Sequence, residues 1–176
     1  ISGSSPVSLA GNLTIPAGKA VTLEGGTKLS IGESGVSAPT VTVNGRLDAS
    51  ECTNFDHSGF LRIGPEGTFL AAINFVNRGV IENDGNIVFP YTRSTVMLNG
   101  GEYSSVGEPC RVTNRGTIDF GGTDPSSSGI LENSGTITGI TRLILSGKTD
   151  ITGGTITANS TGSVFELHYG ASVTIS

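Results

Sequence analysis

A glycine followed by an alternating strand recurs along this chain: Gly45-Arg46-Leu47-Asp48, Gly67-Thr68-Phe69-Leu70, Gly85-Asn86-Ile87-Val88, Gly116-Thr117-Ile118-Asp119, Gly135-Thr136-Ile137-Thr138 and Gly154-Thr155-Ile156-Thr157. Gly101-Glu102-Tyr103-Ser104 fits the same phrase, and Gly26, one residue out of phase, precedes Leu29. The spacing averages about 18 residues, too short for a propeller blade or a helical repeat but sufficient for one coil of a β-solenoid with two or three short strands.

Aligning the coils on their glycines stacks Leu47, Phe69, Ile87, Ile118, Ile137 and Ile156, with Tyr103 filling the gap, two residues after the turn. These side chains are the expected core stack. Four residues before the glycine stand Ile63, Ile81, Met97, Val112 and Leu131, so an apolar side chain is presented on both sides of the corner. Between them Asn83, Asn99, Asn114 and Asn133 share one phase, where Asn tolerates a left-handed backbone and its amide can reach the next coil. An asparagine ladder is expected there.

These columns predict a single all-β domain over residues 1–176, a parallel β-solenoid (β-helix) of about eight to nine coils without substantial helix. The alternative is a β-sandwich or jelly roll, in which Asn44-Gly45 and Asn99-Gly100 would close hairpins. A sandwich needs alternation, but it does not need the same residue type at the same phase in coil after coil. Residues 50–58, 104–109 and 123–128 break the period and are expected as loops leaving the stack.

Composition agrees with strands and turns and excludes several partners. Charged residues are only 14% of the chain, while 27 glycines and many Thr, Ser and Asn stand where helices would use Lys and Glu. Ten basic against fifteen acidic side chains leave no surplus to neutralise a phosphate backbone, so nucleic acid is not an expected partner. No apolar run approaches the roughly 20 residues of a membrane span, so no membrane insertion is expected. Residues 1–6 lack signal-peptide character, so a secreted chain would be mature or trimmed. Low Lys with high Thr, Ser and Gly points to an extracellular or cell-surface location.

The phrases Asn114-Arg115-Gly116-Thr117-Ile118 and Glu132-Asn133-Ser134-Gly135-Thr136-Ile137 resemble coils of secreted bacterial surface adhesins of the filamentous-haemagglutinin and autotransporter type. The likeness is one of repeat style and covers about residues 13–175. It implies an extended adhesive or stalk-like role. The uneven coils and the two cysteines depart from that family.

No catalytic constellation, cofactor site or metal site is expected. Cys52, Asp56 and His57 share one stretch with Asp48 and Glu51 nearby, but their spacing matches no common zinc pattern. Cys52 and Cys110 are expected to form an intrachain disulfide; free thiols or bonds between subunits are the alternatives. Asp48 and Asp119 share an outward phase about four coils apart, too distant to act as a lyase or hydrolase pair. His168 has no adjacent nucleophile with an orienting acid. Thr136-Ile137-Thr138 and Thr155-Ile156-Thr157 have the form of an ice-binding row, but earlier coils do not continue it. Of two glycosylation triplets, at Asn12 and Asn159, the second is the better candidate because the first overlaps a strand.

Both extremities read as strand, with Val7-Ser8-Leu9 near one end and Val173-Thr174-Ile175 at the other. No helical cap is visible, so Val7, Leu9, Val173 and Ile175 are the expected assembly edges of a subunit that joins itself head to tail into a filament or stalk. A trimmed piece of a longer solenoid would show the same ends. The runner-up function is a carbohydrate-binding module that uses Phe55, Tyr91 or Tyr169 on a surface polysaccharide.

Overall fold

A computed structural model describes residues 6–32, 38–90, 95–100, 109–159 and 164–176. The first coil holds β1 (Val7–Leu9), β2 (Leu13–Ile15) and β3 (Ala20–Thr22), and the second β4 (Lys28–Ile31), β5 (Thr40–Val43) and β6 (Arg46–Asp48). The third holds β7 (Asn54–His57), β8 (Phe60–Ile63) and β9 (Thr68–Leu70), and the fourth β10 (Asn74–Asn77), β11 (Val80–Asn83) and β12 (Asn86–Val88). Then follow β13 (Thr95–Asn99), β14 (Arg111–Asn114) and β15 (Thr117–Thr123), and β16 (Ser126–Ser127), β17 (Ile130–Asn133) and β18 (Thr136–Ile140). The last strands are β19 (Arg142–Leu145), β20 (Lys148–Ile151) and β21 (Thr155–Ala158), with β22 (Val164–Leu167) and β23 (Ser172–Ile175) beginning an eighth coil.

Strands of like position stack in three sheets. The first runs from β1 to β22, the second from β2 to β23 and the third from β3 to β21, and every neighbouring pair is parallel. The chain is therefore an all-β parallel solenoid, since a sandwich would pair its strands antiparallel. It has seven complete coils and two strands of another, fewer than the eight to nine expected. Gly26 belongs to the corner before β4, not to the third sheet. Ile87 pairs directly with Ile118, leaving no place for Tyr103, which lies outside the described residues. That coil takes 31 residues from Asn83 to Asn114, where the next takes 19.

Leu47, Phe69, Ile87, Ile118, Ile137 and Ile156 form one continuous column of the third sheet, with Val21 at its start. In the second sheet Leu61, Ile81, Val112 and Leu131 stack. Two members of the expected second column fall elsewhere. Ile63 stacks between Val43 and Asn83, and Met97 lies in the first sheet beside Val76. Phe55, Phe69, Phe75, Phe89 and Phe120 fill the axis, with Phe55 and Phe75 stacked at 5.0 Å and Phe89 and Phe120 at 5.0 Å. Each such buried ring contributes about 1.5–3 kcal/mol by leaving water.

The corner glycines are required by space. An added Cβ at Gly67, Gly116 or Gly135 would fall on a carbonyl oxygen of the coil beneath, that of Val43, Gly85 or Gly116. None of the three has positive φ, and neither does any non-glycine residue described. The asparagines therefore do not occupy left-handed positions as expected. They point into the core and form two ladders instead of one.

At the second-to-third-sheet corner, Asn83 Nδ2 donates to Asn114 Oδ1 at 2.7 Å and Asn114 Nδ2 to Asn133 Oδ1 at 2.7 Å. At the end of the first sheet, Asn77 Nδ2 donates to Asn99 Oδ1 at 3.2 Å and Asn99 Nδ2 to Ser127 Oγ at 3.2 Å. Asn99 reaches this second ladder because β13 bulges after Met97, turning both Leu98 and Asn99 inward.

The stretches expected as loops are partly built into the stack. Residues 50–58 contain β7, whose Phe55 and His57 are fully buried. Residues 123–128 contain β16, with Thr123 and Ser127 facing in, so small polar side chains there replace the aliphatic phase. Of residues 104–109, only Pro109 is described.

Candidate functional site

Ion pairs link neighbouring coils along the side faces of the solenoid. Arg62 pairs with Glu82 of the next coil at 2.9 Å, Arg78 with Asp56 at 2.9 Å, and Arg142 with Asp124 and Glu166 at 3.3 Å each. Arg115 holds the Asp84 carboxyl below its usual range through a direct hydrogen bond.

The residues weighed for chemistry do not converge. Cys52 is buried at the corner between β6 and β7, and Cys110 is buried just before β14, at a different corner. Both are free thiols, so the expected disulfide is absent: the two are held in the stack at separate corners. Burial pushes both thiols up from their ordinary value. His57 faces the core while Asp56 faces solvent, as alternation demands. Among the described residues no three His, Cys, Asp or Glu side chains gather as a metal would require. Asp48 and Asp119 are three coils apart, not four, because the phrase at Gly101 does not add a strand to the third sheet, and about 14 Å separates them at the usual strand spacing. His168 is exposed at the surface, 3.5 Å from Glu166.

For sugar stacking, Phe55 is excluded by its complete burial, Tyr91 lies outside the described residues, and Tyr169 is fully exposed. Asn159 is exposed at the end of β21, whereas Asn12 Oδ1 already accepts from the Thr40 amide at 2.8 Å. The outward column of the third sheet reads Thr68, Asn86, Thr117, Thr136, Thr155, a longer threonine row than the expected coil with Glu102 allowed. Its companion column carries Leu70, Val88 and Asp119 before Thr138, so the double row is confined to the last two coils of that sheet.

The two ends of the stack have the features of a site. At one, Val7, Leu9, Leu13 and Val21 are half-buried around a cavity of about 280 Å³ that continues to Leu23, Leu29 and Leu47. At the other, a cavity of about 400 Å³ opens between Leu143, Leu145, Ile151, Ile156, Phe165, Leu167, Val173 and Ile175. Phe165, Leu167 and Ile175 are 51%, 62% and 77% exposed although they continue the inward columns. Thr149 is buried in the same cavity wall, with its hydroxyl unpartnered.

Among the described residues, the six strands at these ends, β1, β2, β3, β21, β22 and β23, each leave one edge without a neighbour. Natural edges are usually blunted by charge or proline. Here these strands contain a single charged residue, Glu166, and no proline. Sequence reasoning marked Val7, Leu9, Val173 and Ile175 at these edges but missed Phe165 and Leu167. The alternation Val164-Phe165-Glu166-Leu167 was the available signal.

Compared with known proteins, the chain matches no family model, no curated protein and no solved structure. The class defined by fold and register is the parallel β-solenoid.

Proposed function

We propose that this chain is an extracellular structural or adhesive subunit, without turnover or cofactor, that joins a second copy end to end. The observation that carries the reading is the pair of open core ends. Inward files of apolar side chains run out to Val7, Leu9 and Leu13 at one extremity and to Phe165, Leu167, Val173 and Ile175 at the other. Continuing the stack would bury these groups and pair the free edges, and a heterologous contact that does not close produces a filament. The finer reading, a surface stalk of the filamentous-haemagglutinin kind, rests on the repeat phrases around Asn114 and Asn133. Surface polysaccharide is the second partner to test, because Tyr169 presents a fully exposed ring.

Sedimentation and electron microscopy of the chain and of Val173→Asp test this. The unmodified protein is expected to form assemblies that lengthen with concentration, and the variant to remain a folded monomer. An unmodified chain that stays monomeric at high concentration would overturn the reading and favour ends covered by further coils of the same chain.

A further inference from the structure

Both open ends are stepped, because a single chain climbs one strand spacing with each coil it completes. Among the described residues the strands at one end follow the order β1, β2, β3, so the step there falls between the third sheet and the first. At the other end the outermost strands are β21 of the third sheet, β22 of the first and β23 of the second. The step there falls between the second sheet and the third, one sheet away from its counterpart. A second copy can close on this end in three rotations, and only one of them brings the two steps together.

With like sheets aligned, β1 meets β22 and β2 meets β23, but β3 is left two strand spacings from β21, about 10 Å, and that pair of edges stays open. With β1 on β23, two pairs of edges stay open. With the incoming copy turned by one sheet, β1 lies on β21, β2 on β22 and β3 on β23, and all six edges are paired.

Side-chain phase fits this rotation along each strand. Ile156 and Ala158 stack on Ile137 and Ile140 and receive Val7 and Leu9. Phe165 and Leu167, stacked on Leu143 and Leu145, receive Leu13 and Ile15. Val173 and Ile175, stacked on Thr149 and Ile151, receive Val21 and Leu23, whose amide continues the rung by donating to the Asp48 carbonyl at 2.9 Å. The exposed side chains of Phe165, Leu167 and Ile175 are thereby each covered by an aliphatic one. Glu166, the single charge on these strands, meets Thr14, so no like charges face each other.

We infer that successive copies join with a rotation of one sheet, β1, β2 and β3 of the incoming copy adding to β21, β22 and β23 of the receiving one. This rests on the end-to-end reading and assigns its register. Backbone hydrogen bonds along three edges supply the attraction, and the alternation of inward and outward side chains fixes the phase. Each side of the filament then shows the third, first and second sheets of successive copies in turn, and orientation recurs with every third copy.

Cysteine pairs in the full chain test it. Thr174 is exposed on β23, and its neighbour across the junction differs with the rotation: Thr22 when the incoming copy is turned by one sheet, Thr14 when like sheets align, and Ser8 in the remaining case. These three are exposed too, and within one chain they lie at the opposite end of the stack from Thr174. Parallel neighbours are close enough for a disulfide. Under oxidation, Thr174→Cys with Thr22→Cys is expected to give a reducible ladder of covalent oligomers, which neither single variant extends beyond a dimer. A ladder from Thr174→Cys with Thr14→Cys, or with Ser8→Cys, would overturn the inference by showing another rotation. Association without a ladder from the Thr22 pair also overturns it and leaves end-to-end joining intact. Absence of association in the unmodified protein removes both.

Discussion

His57 is fully buried at the head of a polar ladder. Asn77 directs its amide nitrogen at the Leu98 carbonyl and at Asn99, so its oxygen faces His57 and Nδ1 of the imidazole donates to it at 2.7 Å. Nε2 then holds a lone pair with no partner beside the aliphatic coil below. Burial lowers the pKa to about 4, partly opposed by the Asn77 hydrogen bond. The unfolded chain takes up this proton near the ordinary value of 6.5, the folded one only near 4. Acid therefore favours the unfolded chain in that window, and stability that is complete above pH 6.5 declines by on the order of 3 kcal/mol towards pH 4. Thermal melting of the protein should fall between those pH values, and His57→Asn, which keeps a hydrogen-bonding ladder, should flatten the dependence. An unchanged slope in the variant would refute the assignment.

At the level of the element, the coil corner is governed by the approach of one backbone to the next. A Cβ on Gly116 would strike the Gly85 carbonyl and the backbone of Asp84. Relief would need neighbouring coils to separate, breaking hydrogen bonds such as Thr117 N to Gly85 O at 2.8 Å. Gly116→Ala is expected to cost about 3 kcal/mol or more in denaturant unfolding. Gly26→Ala, at φ +80° but facing open space, should cost about 1 kcal/mol. Equal effects would mean that φ, not packing between coils, limits the corners. The glycine phrase was legible because Gly45, Gly67, Gly85, Gly116, Gly135 and Gly154 all repeat this contact. The 31-residue coil was misread because Gly101 imitates the phrase inside an insertion, and nothing local distinguishes a corner glycine from another one.

For the whole molecule, each coil touches only the coils before and after it, so stability is distributed along an axis. Interior coils have two neighbours, and the fourth to sixth carry both ladders, while among the described residues β1, β2, β22 and β23 have one neighbour each. Hydrogen exchange of the monomer should be slowest in β8, β11 and β14 and fastest in the terminal strands, where opening uncovers the least apolar surface. Assembly should then protect the terminal strands selectively. Uniform protection along the axis would contradict this picture.

The sequence by itself determined that the chain stacks short parallel strands around a narrow aliphatic core. The side-chain period of two and the repeated corner leave one way to bury Leu47, Phe69, Ile87, Ile118, Ile137 and Ile156 together. It also marked both extremities as strands. Only the tertiary structure decided which residues share a rung: that Asn99 joins Asn77 and Ser127 instead of Asn83, that His57 turns inward, that Cys52 and Cys110 occupy separate corners, and that Phe165 and Leu167 widen the open end. Rungs are set by hydrogen bonds between residues 19 to 31 positions apart. Corner length varies from coil to coil, so that register is a property of the stack and not of any local phrase.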